Sequence, residues 1–123
     1  MRYTCDIPGF EDNYIELSER WTRREMATSR TATGDAYFAL LQRKVTAIYL
    51  SRVDEATGNP IDPIDNPSAF TTEAVDAVDY MVWRWVAYAV RRGLDDLYSL
   101  GEESARRWSS ALDTATAPPD NPT

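Results

Sequence analysis

The chain has 123 residues, 43% of them hydrophobic and 11% aromatic, and a formal net charge of −7. Such a chain suits one globular domain, able to bury roughly two-thirds of the surface that its unfolded form exposes. The negative charge opposes nonspecific binding to nucleic acid or anionic membranes, which needs a basic face, and the single cysteine, Cys5, excludes an intramolecular disulfide and fits a reducing compartment.

Met1 to Gly9 alternates mildly and reads as a short strand or an ordered arm. It has no apolar h-region, so no signal peptide is expected and the expected location is the cytoplasm. Tyr14-Ile15-Glu16-Leu17 is a second short strand candidate. Thr22-Arg23-Arg24-Glu25 is a capping box. The threonine hydroxyl can accept from the Glu25 backbone N–H while the Glu25 carboxylate reaches back, and Trp21 and Met26 have the spacing of a hydrophobic staple. A short helix is therefore predicted from Thr22, ending in the poor helix formers Thr28 to Gly34.

A second helix is predicted from Asp35 to Tyr49, because Tyr37, Phe38, Leu41, Val45, Ile48 and Tyr49 share one face at about 100° per residue. Leu50 and Val53 fall off that face, so Tyr49–Val53 is open between helix and strand. Asp54 to Pro67 holds three of the seven prolines and the turn signal Gly58-Asn59-Pro60. It is either a loose hairpin, pairing Tyr49–Val53 near Ile61, or a long loop.

A third helix is predicted from Thr71 or Thr72 to at least Arg92, with a Phe70/Val75 staple and with Glu73, Asp76 and Asp79 in its first turns. Gly93 is expected to stop or bend it. Leu94 to Leu112 reads as one further helix or as two pieces broken near Gly101. The sum is an α+β fold, predominantly α-helical: three to four helices, a short N-terminal strand and a small β-hairpin. Residues 1–113 are expected to form the domain and residues 114–123 a disordered tail.

The third helix is the richest segment. Tyr80 to Val90 carries two of the four tryptophans and two of the seven tyrosines. Val75, Val78, Val82, Val86, Ala89 and Val90 make a stripe about 120° wide, with Trp83 and Trp85 on its two flanks as walls of the core. Tyr80, Met81, Arg84 and Tyr88 lie outside it. Either the strands and the last helix cover that second face, or these four residues form a protein-contact surface; tyrosine, methionine and arginine are the types enriched at interfaces.

Chemistry is sparse. With no histidine there is no histidine base, Ser-His-Asp triad or histidine metal ligand, and one cysteine cannot build a thiolate zinc site. No phosphate-binding glycine motif occurs. Read as a calcium loop from Asp54, the chain has Ala56 third and Asn59 sixth, where an oxygen ligand and a glycine are needed. Paired carboxylates (Asp95-Asp96, Glu102-Glu103) are what any acidic chain offers. No enzyme, cofactor, metal, nucleic acid or membrane is expected.

The order of elements resembles small bacteriophage tail assembly chaperones and related tail-morphogenesis proteins. The residues that carry the resemblance are Tyr14-Ile15-Glu16-Leu17 leading into Trp21-Thr22-Arg23-Arg24-Glu25, a helix ending in Ile48-Tyr49-Leu50, the turn Asp54-x-x-x-Gly58-Asn59-Pro60-Ile61, and an acidic-led helix from Thr72. They span roughly residues 14 to 100; Trp83 and Trp85 map onto no family motif. The resemblance implies a non-enzymatic viral protein that coats the long, aggregation-prone tape-measure helix or recruits tail-tube subunits, with self-association into a homo-oligomer as a further expectation. It carries over no site residue. Two other readings stand beside it: a virion component such as a connector or adaptor subunit, and a small acidic regulator such as an antitoxin or immunity protein, whose charge would suit a basic partner.

Overall fold

The computed structural model describes residues 1–116; residues 117–123 of the expected tail lie outside the described residues. Four strands, β1 (Arg2–Thr4), β2 (Tyr14–Leu17), β3 (Val45–Val53) and β4 (Pro60–Ile64), form one sheet in the order β1-β2-β3-β4. Every neighbouring pair is antiparallel. Helices α1 (Arg23–Thr31) and α2 (Gly34–Lys44) connect β2 to β3, and α3 (Thr72–Val75) and α4 (Tyr80–Thr116) follow the sheet. The expectation of a predominantly helical fold is thereby corrected. The protein is a mixed α+β fold organised on a four-stranded sheet.

The largest departure is β3. The helix expected to reach Tyr49 ends at Lys44, and Val45–Val53 is the longest strand. Val45, Thr46, Ile48 and Val53 are β-branched, which costs helix and suits a pleated, half-buried surface. Ile15 pairs with Ile48, Tyr14 with Tyr49 and Leu50 with Ile64. Ile15, Ile48, Leu50 and Ile64 are all fully buried. Arg52 pairs with Ile61 and Val53 with Pro60, so β3 and β4 form the hairpin that was left open above. Pro60 and Pro63 are tolerated because β4 is an edge strand.

The capping box forms: the Thr22 hydroxyl accepts from Glu25 N at 3.1 Å and the Glu25 carboxylate accepts from Thr22 N at 2.8 Å. Lys44, at the end of α2, lies 2.7 Å from Glu25 and 5.5 Å from the centre of the Trp21 ring, tying the ends of α1 and α2 together. Its hydrogen bond, followed by the one from Thr22, holds the Glu25 carboxyl below its ordinary range. The one fully buried polar residue among those described is Asn13. Its side chain accepts from Ser51 N at 2.7 Å and donates to the Phe10 carbonyl at 3.1 Å, which locks the β1–β2 turn to β3. Cys5 is buried beside it, and burial pushes its thiol up.

The third helix is not continuous from Thr72. α3 is capped by Thr71 and lasts one turn. The end of β3 then draws the chain out: Arg52 Nε donates to the Ala74 carbonyl, Val53 N donates to the Ala77 carbonyl, and Val78 bridges to Arg52. Asp79 restarts the helix by accepting from Met81 N at 2.9 Å.

Gly93 does not stop α4. A Cβ there would lie 2.7 Å from Leu17 Cδ1 and 3.4 Å from the Tyr3 ring. The glycine serves instead as the point of closest approach between helix and sheet.

Candidate protein-binding surfaces on helix α4

Thirty-seven residues of α-helix span about 55 Å, far more than four strands side by side can cover at about 4.8 Å each. α4 therefore has two halves. In the first, Val82, Trp85, Val86, Ala89, Val90 and Gly93 are buried. Trp83 flanks them, half-buried, with its ring centre 6.4 Å from both Phe38 of α2 and Phe70. The two indoles are core walls, as their angles require.

The opposite face is open. Tyr80 is 67% exposed, Met81 58% and Tyr88 61%. Arg84 is exposed between them and donates to the Tyr80 hydroxyl at 3.4 Å, its guanidinium 6.0 Å from the ring centre. Tyr80, Arg84 and Tyr88 are four residues apart and so form one row along the helix. The structure thus brings the four candidate contact residues together on a face that neither the strands nor another helix covers.

Beside that row β1 is tied to the helix. The Tyr3 hydroxyl donates to Asp96 at 2.6 Å. Burial, then the Asp96 carboxylate, pushes the Tyr3 phenol up to about 12. Because the neutral phenol is favoured in the folded state, the stability it contributes is present below pH ~10 and is lost as the pH rises towards 12. A difference titration of phenolate absorbance, native chain minus Tyr3→Phe, is expected to have its midpoint near 12. A midpoint near the ordinary ~10 would show that this tie does not form.

The second half of α4 leaves the sheet and runs along α1. Arg30 of α1 stands 5.6 Å from the centre of the Tyr98 ring. Between the two helices is an open groove of about 810 Å³, lined by Trp21, Met26 and Ala27 on one side and by Leu97, Gly101, Ala105 and Trp108 on the other. Trp108 is 65% exposed, and Tyr98 and Leu100 are about half exposed. Sequence reasoning missed this surface. Its signal was the helical spacing of Leu97, Gly101, Ser104 and Trp108, hidden by the expected stop or bend at Gly93 and by a break near Gly101 being left open.

Among the described residues no group of three or more acidic, cysteine or histidine side chains could hold a metal ion, and no helix is long and apolar enough to cross a membrane. Every buried side-chain nitrogen or oxygen among them has a partner. Among the described residues, most of the exposed large apolar and aromatic side chains stand on α4. No protein-family model, curated protein or solved structure matches the chain.

Proposed function

We propose that this protein is a non-enzymatic binding factor of bacteriophage tail morphogenesis. It acts in the host cytoplasm as a tail assembly chaperone, holding an amphipathic helix of the tape-measure protein until the tail is built. The observation that carries the reading is the exposed row Tyr80, Arg84 and Tyr88, with Met81 beside it, on a helix whose other face is fixed in the core. Burying large aromatic side chains is worth roughly 2–3 kcal/mol each, so a partner that covers the row gains affinity without unfolding anything. A net charge of −7 favours a client whose apolar stripe is flanked by lysine and arginine.

Co-expression with a long helical tail protein, followed by light-scattering mass, tests the reading. A mass equal to client plus chaperone is expected, together with absence of this protein from purified finished particles by mass spectrometry. Presence in the particles at fixed stoichiometry would make it a virion subunit instead. Failure to bind any long helical tail protein, with binding to a small basic toxin, would make it an acidic regulator.

A further inference from the structure

We infer that the open edge of β1 pairs antiparallel with β1 of a second copy of this chain, joining the two sheets into one. The inference does not rest on the client reading.

The direction of the β1 backbone defines the edge. Met1 N donates to the Leu17 carbonyl at 3.0 Å, Leu17 N donates to the Met1 carbonyl at 2.8 Å, and Cys5 N donates to the Asn13 carbonyl at 2.9 Å. Bonded and unbonded pairs alternate along an antiparallel ladder. Met1, Tyr3 and Cys5 therefore face β2, while Arg2 and Thr4 turn their N–H and C=O outward. Among the described residues no strand lies beyond β1. The other edge is guarded, because β4 carries Pro60 and Pro63, which oppose strand addition. β1 has neither proline nor lysine. A hollow of about 280 Å³ lies beside it, bordered by Arg2, Thr4 and Asp6 and by Trp85, Tyr88 and Arg92 of α4.

Two observations select a second copy as the occupant. The first is charge. Arg2, Thr4 and Asp6 are exposed and alternate with the more buried Tyr3 and Cys5. An antiparallel pair centred on Thr4 sets threonine against threonine and Arg2 of each copy against Asp6 of the other. Threonine pairs and opposite charges are both favourable cross-strand neighbours, and the contact is isologous, so it closes at two copies. Parallel pairing in the same register would instead set like charges side by side. Arg2 holds Glu16 through Nε at 2.9 Å, an exposed pair of the kind that is weak, and its two terminal nitrogens remain for Asp6.

The second is the place of α4. A Cβ on Gly93 would meet both Leu17 of β2 and Tyr3 of β1, so α4 runs above the junction of these two strands. Strands lie about 4.8 Å apart, which puts α4 about one strand spacing from the axis relating the copies. The two α4 helices then pass antiparallel, about 9–10 Å apart, on one face of the joined sheet, which is the distance at which helices pack. Tyr88 stands at the margin of that contact, and Tyr80 and Arg84 are turned away from it. A lone peptide strand would bring no second helix to that place.

Light-scattering mass of the full chain from about 1 to 100 µM is expected to pass from one copy to two. The Thr4 amide should become protected from hydrogen exchange over the same range. Thr4→Pro removes an N–H that the monomer does not use, so it should abolish the dimer and leave the monomer's circular dichroism and melting temperature near native. Asp6→Arg should weaken the dimer about tenfold or more, and R2D/D6R should regain most of that loss. Should Thr4→Pro fail to fold, Asp6→Arg and its rescue decide. Tyr80→Ser should leave the dimer intact, which separates this test from that of the client reading. A native chain that stays a monomer at 100 µM overturns the inference. So does a dimer that ignores both Thr4→Pro and Asp6→Arg, because it would use another surface. Protection of Thr4 that requires a client would give the edge to that client's strand and overturn the second copy.

Discussion

Replacing Val82 with aspartate is expected to leave the chain unfolded at neutral pH. Val82 is 0% exposed and sits in the middle of the stripe that α4 lays on the sheet, among Ile15, Ile48 and Val86 in one core. A carboxyl placed there loses the burial of a valine, worth about 1.5 kcal/mol or more. It must also stay protonated at a cost of about 1.4 kcal/mol for each unit by which burial raises its pKa, up to 3–5 units. The total rivals the ~5–15 kcal/mol that holds a domain together. The sign of the pH dependence follows. Acid protonates the new carboxyl in both states, so the gap between variant and native should narrow as pH falls from about 7 to about 4. Met81→Asp, one residue away and mostly exposed, is the control; it should change stability by less than ~0.5 kcal/mol. Denaturant melting of the three chains reads both effects. A Val82→Asp chain as stable as native would mean that α4 does not lie on the sheet by its valines.

Phe70→Ala is expected to cost about 3–5 kcal/mol, the range for emptying a buried aromatic site. Phe70 is fully buried between the last strand and α3. Its ring centre is 4.8 Å from Phe38 and 6.4 Å from Trp83, so one side chain joins α2 to α4. Gln42 of α2 also donates to the Phe70 carbonyl at 2.8 Å; the substitution spares that bond, which limits the loss to ring packing. Phe70→Leu should lose less. The measurement is the denaturant midpoint at constant slope, since a changed slope would signal a change in compactness instead. A loss below about 1 kcal/mol would place α2 elsewhere.

The elements legible in the sequence were those specified by local chemistry. Thr22 and Glu25 are three residues apart and cap the same helix, so the box could be read directly. The part of the stripe that lies on α4, Val82, Val86, Ala89 and Val90, and its flanking indoles follow from helical geometry alone, as does the position of Tyr80, Met81, Arg84 and Tyr88 opposite it, whereas Val75 and Val78 fall in α3 and the break after it. β3 was harder because its hydrophobic residues satisfy two periods. Val45, Ile48 and Tyr49 continue the α2 face, yet they also fit a strand, and what decides is pairing with β2, thirty residues earlier in the chain. The break at residues 76–79 has the same origin: Arg52 and the backbone of Val53 capture carbonyls that a local reading leaves inside a helix. Gly93 was expected to stop or bend the helix, because its reason for being glycine, the approach of Leu17, lies in a distant strand that a local reading does not see. The groove beside Trp108 went unseen for a related reason, since it exists only if α4 continues through both glycines.

The central claim is that α4 binds a protein through the row opposite its core face. Its most direct test is calorimetric titration of the helical client into the native chain and into Tyr80→Ser/Tyr88→Ser, with melting curves of both. Because each tyrosine is already about one-third buried, covering the rest should supply about 3–4 kcal/mol for the two together, so the variant should bind a hundredfold or more weakly while its melting temperature stays within a degree or two of native. Unchanged affinity, or a variant that loses its fold along with its affinity, would contradict the account.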